Sequence, residues 1–167
     1  MINLLAIVCG STHTVAMFEQ DGEVTITEFG PANIRLIGKK QISQLLCKIA
    51  ETFPNPKFIA IGMAGVRTCV DQQNLHKVIK KTWPNTELIN TTNDLETALE
   101  ADSNSKQISR VLVLSGTGSC CYGKSKKGST SKIGGWGHIL GDKSSGYEIG
   151  LRALKACVFY LDRDDTW

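Results

Sequence analysis

Apolar positions along this chain run in short blocks or alternate at first, then change to helical spacing. Leu4–Val8 is an apolar run that stops at the small-residue turn Cys9-Gly10-Ser11-Thr12. Thr14–Phe18 follows, Gln20-Asp21-Gly22 supplies a tight turn, and Glu23–Phe29 alternates Val24 and Ile26 with charged or Thr positions. These signals predict a three-strand meander closed by the Gly30-Pro31 loop. Ile42, Leu45, Leu46, Ile49 and Phe53 then recur with the period of a helix, which Pro54 and Pro56 stop. Phe58–Gly62 has the character of a buried strand, and Leu75, Val78 and Ile79 mark a second helix with Pro84 beyond it. Glu87–Asn90 predicts a short strand and Leu95–Glu100 a short helix, with Asp94 placed to cap it. Val111–Ser115 is a further strand running into Gly116-Thr117-Gly118-Ser119, and Tyr147, Leu151, Leu154, Val158 and Leu161 form an apolar stripe on a closing helix.

Three meandering strands followed by β-α units favour a mixed sheet with helices on both faces, and no internal repeat or low-complexity linker interrupts them. One α/β domain is therefore expected from 167 residues and 18.2 kDa. The 41% apolar and 21% charged content excludes a disordered tail, a collagen-like fibre and a disulfide-dense miniprotein. The apolar runs fall far short of the roughly 20 residues of a membrane span, and the N-terminus has no signal-peptide pattern. A net charge of +3 is too small to indicate nucleic acid. The cluster Lys124, Lys126 and Lys127, between Gly123 and Gly128, fits a solvated hairpin tip. Six cysteines without a CxxC pair fit reduced thiols in the cytoplasm, and the three histidines lack zinc-ligand spacing.

Three Gly/Ser/Thr-rich turns each follow a predicted strand: Cys9–Thr12, Met63-Ala64-Gly65 and Gly116–Ser119. Each is either a tight turn that needs glycine or a cradle whose amides and hydroxyls hold phosphate. Their shared position at strand ends, where α/β sheets bind ligands, gives the second reading its weight. None ends in the Gly-Lys-Ser/Thr of a Walker loop. Asn93-Asp94 opens a helix, so Asp94 serves as a cap or as a general base toward a substrate hydroxyl. Gly134–Tyr147 sets Trp136, His138 and Asp142 among glycines. It is either a ligand-folding loop or a connection in which Asp142 or Ser144 caps the last helix.

The run GTGSCCYG at 116–123 followed by GGWGHILGDKSSGYEIGLRAL at 134–154 resembles the BadF/BadG/BcrA/BcrD ATPase and N-acetylglucosamine kinase family, of the sugar kinase/Hsp70/actin superfamily. Members typically show GTGS, then GGWG-H-x-LGD-x-GSGY-x-IG-x-x-AL. Gly62–Gly65 is similar to the family G-x-AG, Asn93-Asp94 to its ND, and Gly30–Asn33 to its GPAN. The resemblance implies a ribonuclease H-like (actin-like ATPase) fold, with residues 1–145 as the N-terminal lobe of a normally two-lobed protein. Residues 146–167 would then be a closing helix leading to a missing C-terminal lobe.

By the same resemblance, the activity is ATP-dependent phosphorylation of N-acetylglucosamine or glucosamine, with ATP and Mg2+ as cofactors. Asp94 would be the catalytic base. Gly10, Ser11, Thr12, Gly116, Thr117, Gly118 and Ser119 would hold the ATP phosphates, and Asn33, Ala64, Gly65, Asn93, Trp136, Gly137 and Asp142 the sugar. Two alternatives stay open: a non-catalytic sugar- or phosphate-binding subunit acting through a partner, and a BadF-type ATPase activator. Activators carry a cluster-ligating cysteine arrangement not identifiable here.

One departure bears on activity. The family's first strand ends D-G-G-G-T-K-T, whereas this chain gives Val8-Cys9-Gly10-Ser11-Thr12-His13-Thr14. Val8 replaces the aspartate that organises magnesium, so no metal ligand is assigned, and His13 replaces the lysine. Impaired turnover of the isolated chain is expected. Neither nucleic acid nor membrane is an expected partner. The closing stripe predicts a homodimer, or a complex with a separately encoded lobe, through residues 147–167.

Overall fold

The protein is described by a computed structural model over residues 3–101 and 108–163. The chain divides into two compact units, Met1–Ala101 and Asp102–Trp167, in place of the single domain expected from its length. The boundary expected at 145/146 falls inside the second unit. Residues 164–167 of the expected closing segment lie outside the described residues.

In the first unit, β1 (Asn3–Cys9), β2 (Thr14–Gln20) and β3 (Glu23–Phe29) form the predicted antiparallel meander. Asp21 and Gly22 turn the β2–β3 hairpin with φ of 55° and 89°, the left-handed pair that a two-residue hairpin requires. Helix α1 (Lys39–Thr52) leads to β4 (Phe58–Met63), α2 (Cys69–Thr82) to β5 (Leu88–Thr92), and α3 (Asp94–Glu100) follows. The sheet order is β3-β2-β1-β4-β5, with β4 parallel to both β1 and β5.

Strand alternation sends Leu5, Ile7 and Cys9 of β1 and Ile59, Ile61 and Met63 of β4 to one face. There they bury against Ile42, Leu46 and Ile49 of α1 and Leu75 and Ile79 of α2. Trp83, 2% exposed, closes this core, and its indole donates to Phe53 O at 2.9 Å. The opposite face of β4 presents Gly62 to α3: a Cβ there would lie 2.0 Å from Thr97 Oγ1 and 3.1 Å from Asn93 O. Helices therefore flank both faces of a mixed sheet.

The second unit holds β6 (Arg110–Ser115), β7 (Ser119–Lys124) and β8 (Thr130–Gly134) as an antiparallel sheet in that order, and α4 (Gly146–Leu161). The lysine cluster does mark a hairpin tip, closed by Ser125 N–H on Ser129 O at 2.8 Å and Gly128 N–H on Ser125 O at 2.8 Å. Each unit thus begins with a strand, a Gly/Ser/Thr turn, two more antiparallel strands and a helix. That architectural repeat leaves no trace as a repeated sequence. Tyr122 is buried, whereas α4 buries no side chain and leaves Leu154, Val158 and Phe159 exposed. Among the described residues no helix is long and apolar enough to cross a membrane.

Gly62→Ala should destabilise the first unit by about 1–3 kcal/mol, because α3 must move off the sheet to admit the methyl group. Urea unfolding measures it. A variant as stable as the wild type would contradict the close approach of α3.

Candidate functional site

Because β1, β4 and β5 run parallel, their carboxyl ends lie at one edge of the first sheet. The backbone continues the pairing past the regular strands. Ala64 N–H donates to Cys9 O at 2.8 Å, Ala32 N–H to Gly10 O at 2.9 Å, and Ile34 N–H to Ala64 O at 3.0 Å. Asn33 is held between the last two bonds and bridges Ala64 in parallel register. Ser11, Asn33, Ala64 and Gly65 are thereby brought together.

The Asn33 side chain has a fixed orientation. Its Oδ1 accepts from Arg35 N–H at 2.9 Å, and its Nδ2 donates to Ser11 Oγ at 3.0 Å. Gly65 has φ of 85°, and a Cβ on it would lie 2.3 Å from Asn33 Oδ1, so this corner needs glycine twice over. Sequence reasoning missed Arg35. Its Nε donates to Gly65 O at 3.1 Å and its Nη2 to Asp71 Oδ2 at 2.6 Å. The N–H groups of Arg67 and Thr68 also donate to Asp71 Oδ2, at 3.1 and 3.0 Å. The Arg67 N–H foremost, with the Thr68 hydroxyl and N–H and the Arg35 charge, holds the Asp71 carboxyl below its usual range against the opposing cost of burial.

At β5, the cap differs from expectation. Asn93 is the N-cap of α3, its Oδ1 accepting from Glu96 N–H at 2.7 Å, and Asp94 is the first helical residue. Asparagine wins because its extended backbone (φ −88°, ψ 163°) starts the turn, which places Asp94 where a carboxylate complements the helix dipole. The Asp94 charge adds to the forces on the Cys9 thiol at the end of β1. Burial is the larger force and pushes that thiol up to about 12, opposed in part by the Thr14 hydroxyl. Cys9 is therefore a neutral core residue. Val8 is 40% exposed and its side chain carries no oxygen, so this strand end does not fit the magnesium-organising role.

In the second unit the turn 116–119 and the loop 142–146 are stitched together. Ser115 Oγ donates to Ser144 O at 2.7 Å, Ser119 Oγ to Lys143 O at 2.6 Å, and Gly146 N–H to Gly116 O at 2.8 Å. A Cβ on Gly118 would lie 2.9 Å from Asp142 Oδ2, which brings Asp142 to the GTGS turn. A Cβ on Gly116 would meet nothing within 4 Å, and the Gly116 N–H is given to Gly118 O at 2.9 Å. Gly137 O accepts from Gly141 N–H at 2.8 Å, while Trp136 is 74% exposed. The cap of α4 is Ser145, neither Asp142 nor Ser144: its Oγ accepts from Glu148 N–H at 3.2 Å. Glu148 reaches back to Ser144 N–H, which with Arg152 holds its carboxyl below the usual range. Asp142 and Ser144 carry φ of 55° and 64°, left-handed values that explain the glycine of the family pattern at the position of Ser144.

The first unit's sheet order and helix layers are those of a ribonuclease H-like, actin-like ATPase fold. Solved structures agree over most of the chain. A Porphyromonas gingivalis protein provisionally described as an N-acetylglucosamine kinase superposes with a TM-score of 0.82 at 19% identity, over 95% of this chain and 56% of its own. MreB5 of Spiroplasma citri bound to ADP gives 0.57 at 13% identity, over 80% of this chain and 52% of its own. The profile of the BadF/BadG/BcrA/BcrD ATPase family matches residues 7–164, and the chain belongs to that family. An N-acetylmuramic acid/N-acetylglucosamine kinase of Clostridium acetobutylicum is 32% identical over 163 residues, 92% of this chain and 52% of the relative. An N-acetyl-D-glucosamine kinase of Dictyostelium discoideum is 34% identical over 103 residues, 58% of this chain and 30% of its own. The chain thus spans about half the length of the Clostridium relative.

Ser144→Gly should relieve about 1 kcal/mol of left-handed strain. Hydrogen exchange at Gly146 N–H, which spans the turn and the loop, should slow about fivefold. Faster exchange in the variant would show that the serine side chain supports the loop.

Proposed function

We propose that this chain carries the sugar-binding and phosphate-binding turns of an amino-sugar kinase acting on N-acetylglucosamine or glucosamine with ATP. The observation that carries the reading is the edge of the first sheet. There Asn33, Ala64, Gly65 and Asn93-Asp94 gather at the ends of three parallel strands, in a member of an ATPase family whose relatives are named as amino-sugar kinases. Asn33 and Asp142 take sugar hydroxyls, with Trp136 and Gly137 in the same loop. Gly10, Ser11 and Thr12 and the turn Gly116–Ser119 would hold the ATP phosphates through the donors not already given to His13 O, Gly118 O and Lys143 O by Gly10 N–H, Gly116 N–H and the Ser119 hydroxyl.

Asp94 accepts the proton of the attacking sugar hydroxyl. The oxygen of that hydroxyl bonds to the γ-phosphorus as the bond to the β-phosphate oxygen breaks, giving a sugar phosphate and ADP. Positioning and charge neutralisation carry most of such a transfer. Magnesium in the relatives' manner would need a donor that Val8 does not provide. This favours weak turnover by chain 1–167 alone, and a sugar-binding subunit working through a partner as the second reading. The exposed stripe of α4 would supply an association surface. The cytoplasm, where ATP and amino sugars meet, is the proposed compartment.

Calorimetry on chain 1–167 should detect binding of an amino sugar, weakened about tenfold or more in Asp142→Ala, because an unpaired buried partner costs roughly 1–3 kcal/mol. A coupled ATPase assay should give little sugar-dependent turnover. Absence of binding of either amino sugar to the wild type would overturn the reading.

A further inference from the structure

We propose that Ser11 and Arg35 are positioning residues that fix the amide of Asn33 and thereby set which hydroxyl pattern it accepts. The inference rests on the sugar-binding reading of Asn33. An asparagine amide has two N–H donors and two acceptor lone pairs, and a freely rotating one presents either edge to a ligand. Here rotation is blocked from both sides. The Arg35 backbone N–H is a donor only, so the atom 2.9 Å from it must be Oδ1. That places Nδ2 on Ser11 Oγ at 3.0 Å. One N–H and one lone pair of Asn33 are left for a ligand, a match for a group that both donates and accepts, as a sugar hydroxyl does.

The two residues do this differently. Ser11 stands where the family pattern has glycine, so the clamp on Nδ2 comes from a hydroxyl the pattern lacks. Having accepted from Asn33, that hydroxyl keeps its own proton to donate. Arg35 acts through the backbone: its side chain ties Gly65 O and Asp71 Oδ2 together at 3.1 and 2.6 Å. This keeps the 33–35 turn seated, with its N–H on Oδ1. Gly65, whose Cβ would strike Oδ1, closes the remaining side.

The test combines affinity, stability and a spectroscopic readout on chain 1–167 with N-acetylglucosamine as the probe. Ser11→Ala and Arg35→Met should each weaken binding about threefold to tenfold, the value of one well-placed hydrogen bond. Ser11→Thr, which keeps the hydroxyl, should restore most of the loss. The two side-chain amide proton resonances of Asn33 should be well separated in the wild type and move together in Ser11→Ala, at an unchanged melting temperature. A purely structural serine would lower the melting temperature and leave the Asn33 resonances in place. If Asn33→Ala weakens binding while Ser11→Ala and Arg35→Met do not, the inference fails and the sugar-binding reading stands. If the wild type binds no N-acetylglucosamine, the reading fails and takes the inference with it.

Discussion

The hydrogen bond from Ala64 N–H to Cys9 O, 2.8 Å long, carries the parallel β1–β4 pairing one residue beyond the end of β4, onto the last residue of β1. Once those ends are tied, the 32–34 segment is fixed by Gly10 O on one side and Ala64 O on the other. Asn33 then sits between two strand ends with no freedom left in its backbone. Gly65, Arg35 and Ser11 complete the constraint on its side chain. A polar group held this firmly has already lost its ordering entropy, which is how a binding edge gains affinity from one amide.

Three of the departures from the family pattern lie at the same edge, and they differ in kind. Cys9 in place of glycine is absorbed by the core: the thiol is fully buried and neutral. Ser11 in place of glycine adds a hydroxyl that Asn33 uses. Val8 in place of aspartate removes a carboxylate and puts nothing polar there. The first two are compatible with a working sugar edge, while the third bears on phosphate chemistry. On the proposed reading, binding and turnover are therefore separable in this chain.

Much of the first unit was legible in its sequence because its signals are local. Alternation in Glu23–Phe29, the Asp21-Gly22 turn and the helical stripe from Ile42 to Phe53 each specify an element without tertiary information. The polar start of α2 was not legible. Its apolar face begins at Leu75, although Thr68 caps it at Cys69 by accepting from Asp71 N–H at 3.1 Å. Strands β7 and β8 were hidden by small and polar residues, since Ser-Cys-Cys-Tyr-Gly-Lys has no strong period. Asn93 and Asp94 are equivalent caps by composition, and only backbone geometry separates them. The Arg35–Asp71 pair spans 36 positions and leaves no pattern in sequence. The division into two units also escaped, although 10 of the 16 glycines and none of the 4 prolines lie beyond Ala101.

The claim that the β1, β4 and β5 strand ends form the sugar edge is tested most directly by backbone and side-chain amide shifts of labelled chain 1–167 titrated with N-acetylglucosamine. In the first unit, perturbations should concentrate at Gly10–Thr12, Asn33, Ala64-Gly65 and Asn93-Asp94, with the Asn33 side-chain amide among the largest. Saturable binding that leaves those positions unmoved and shifts residues on α1 or α2 instead would contradict it.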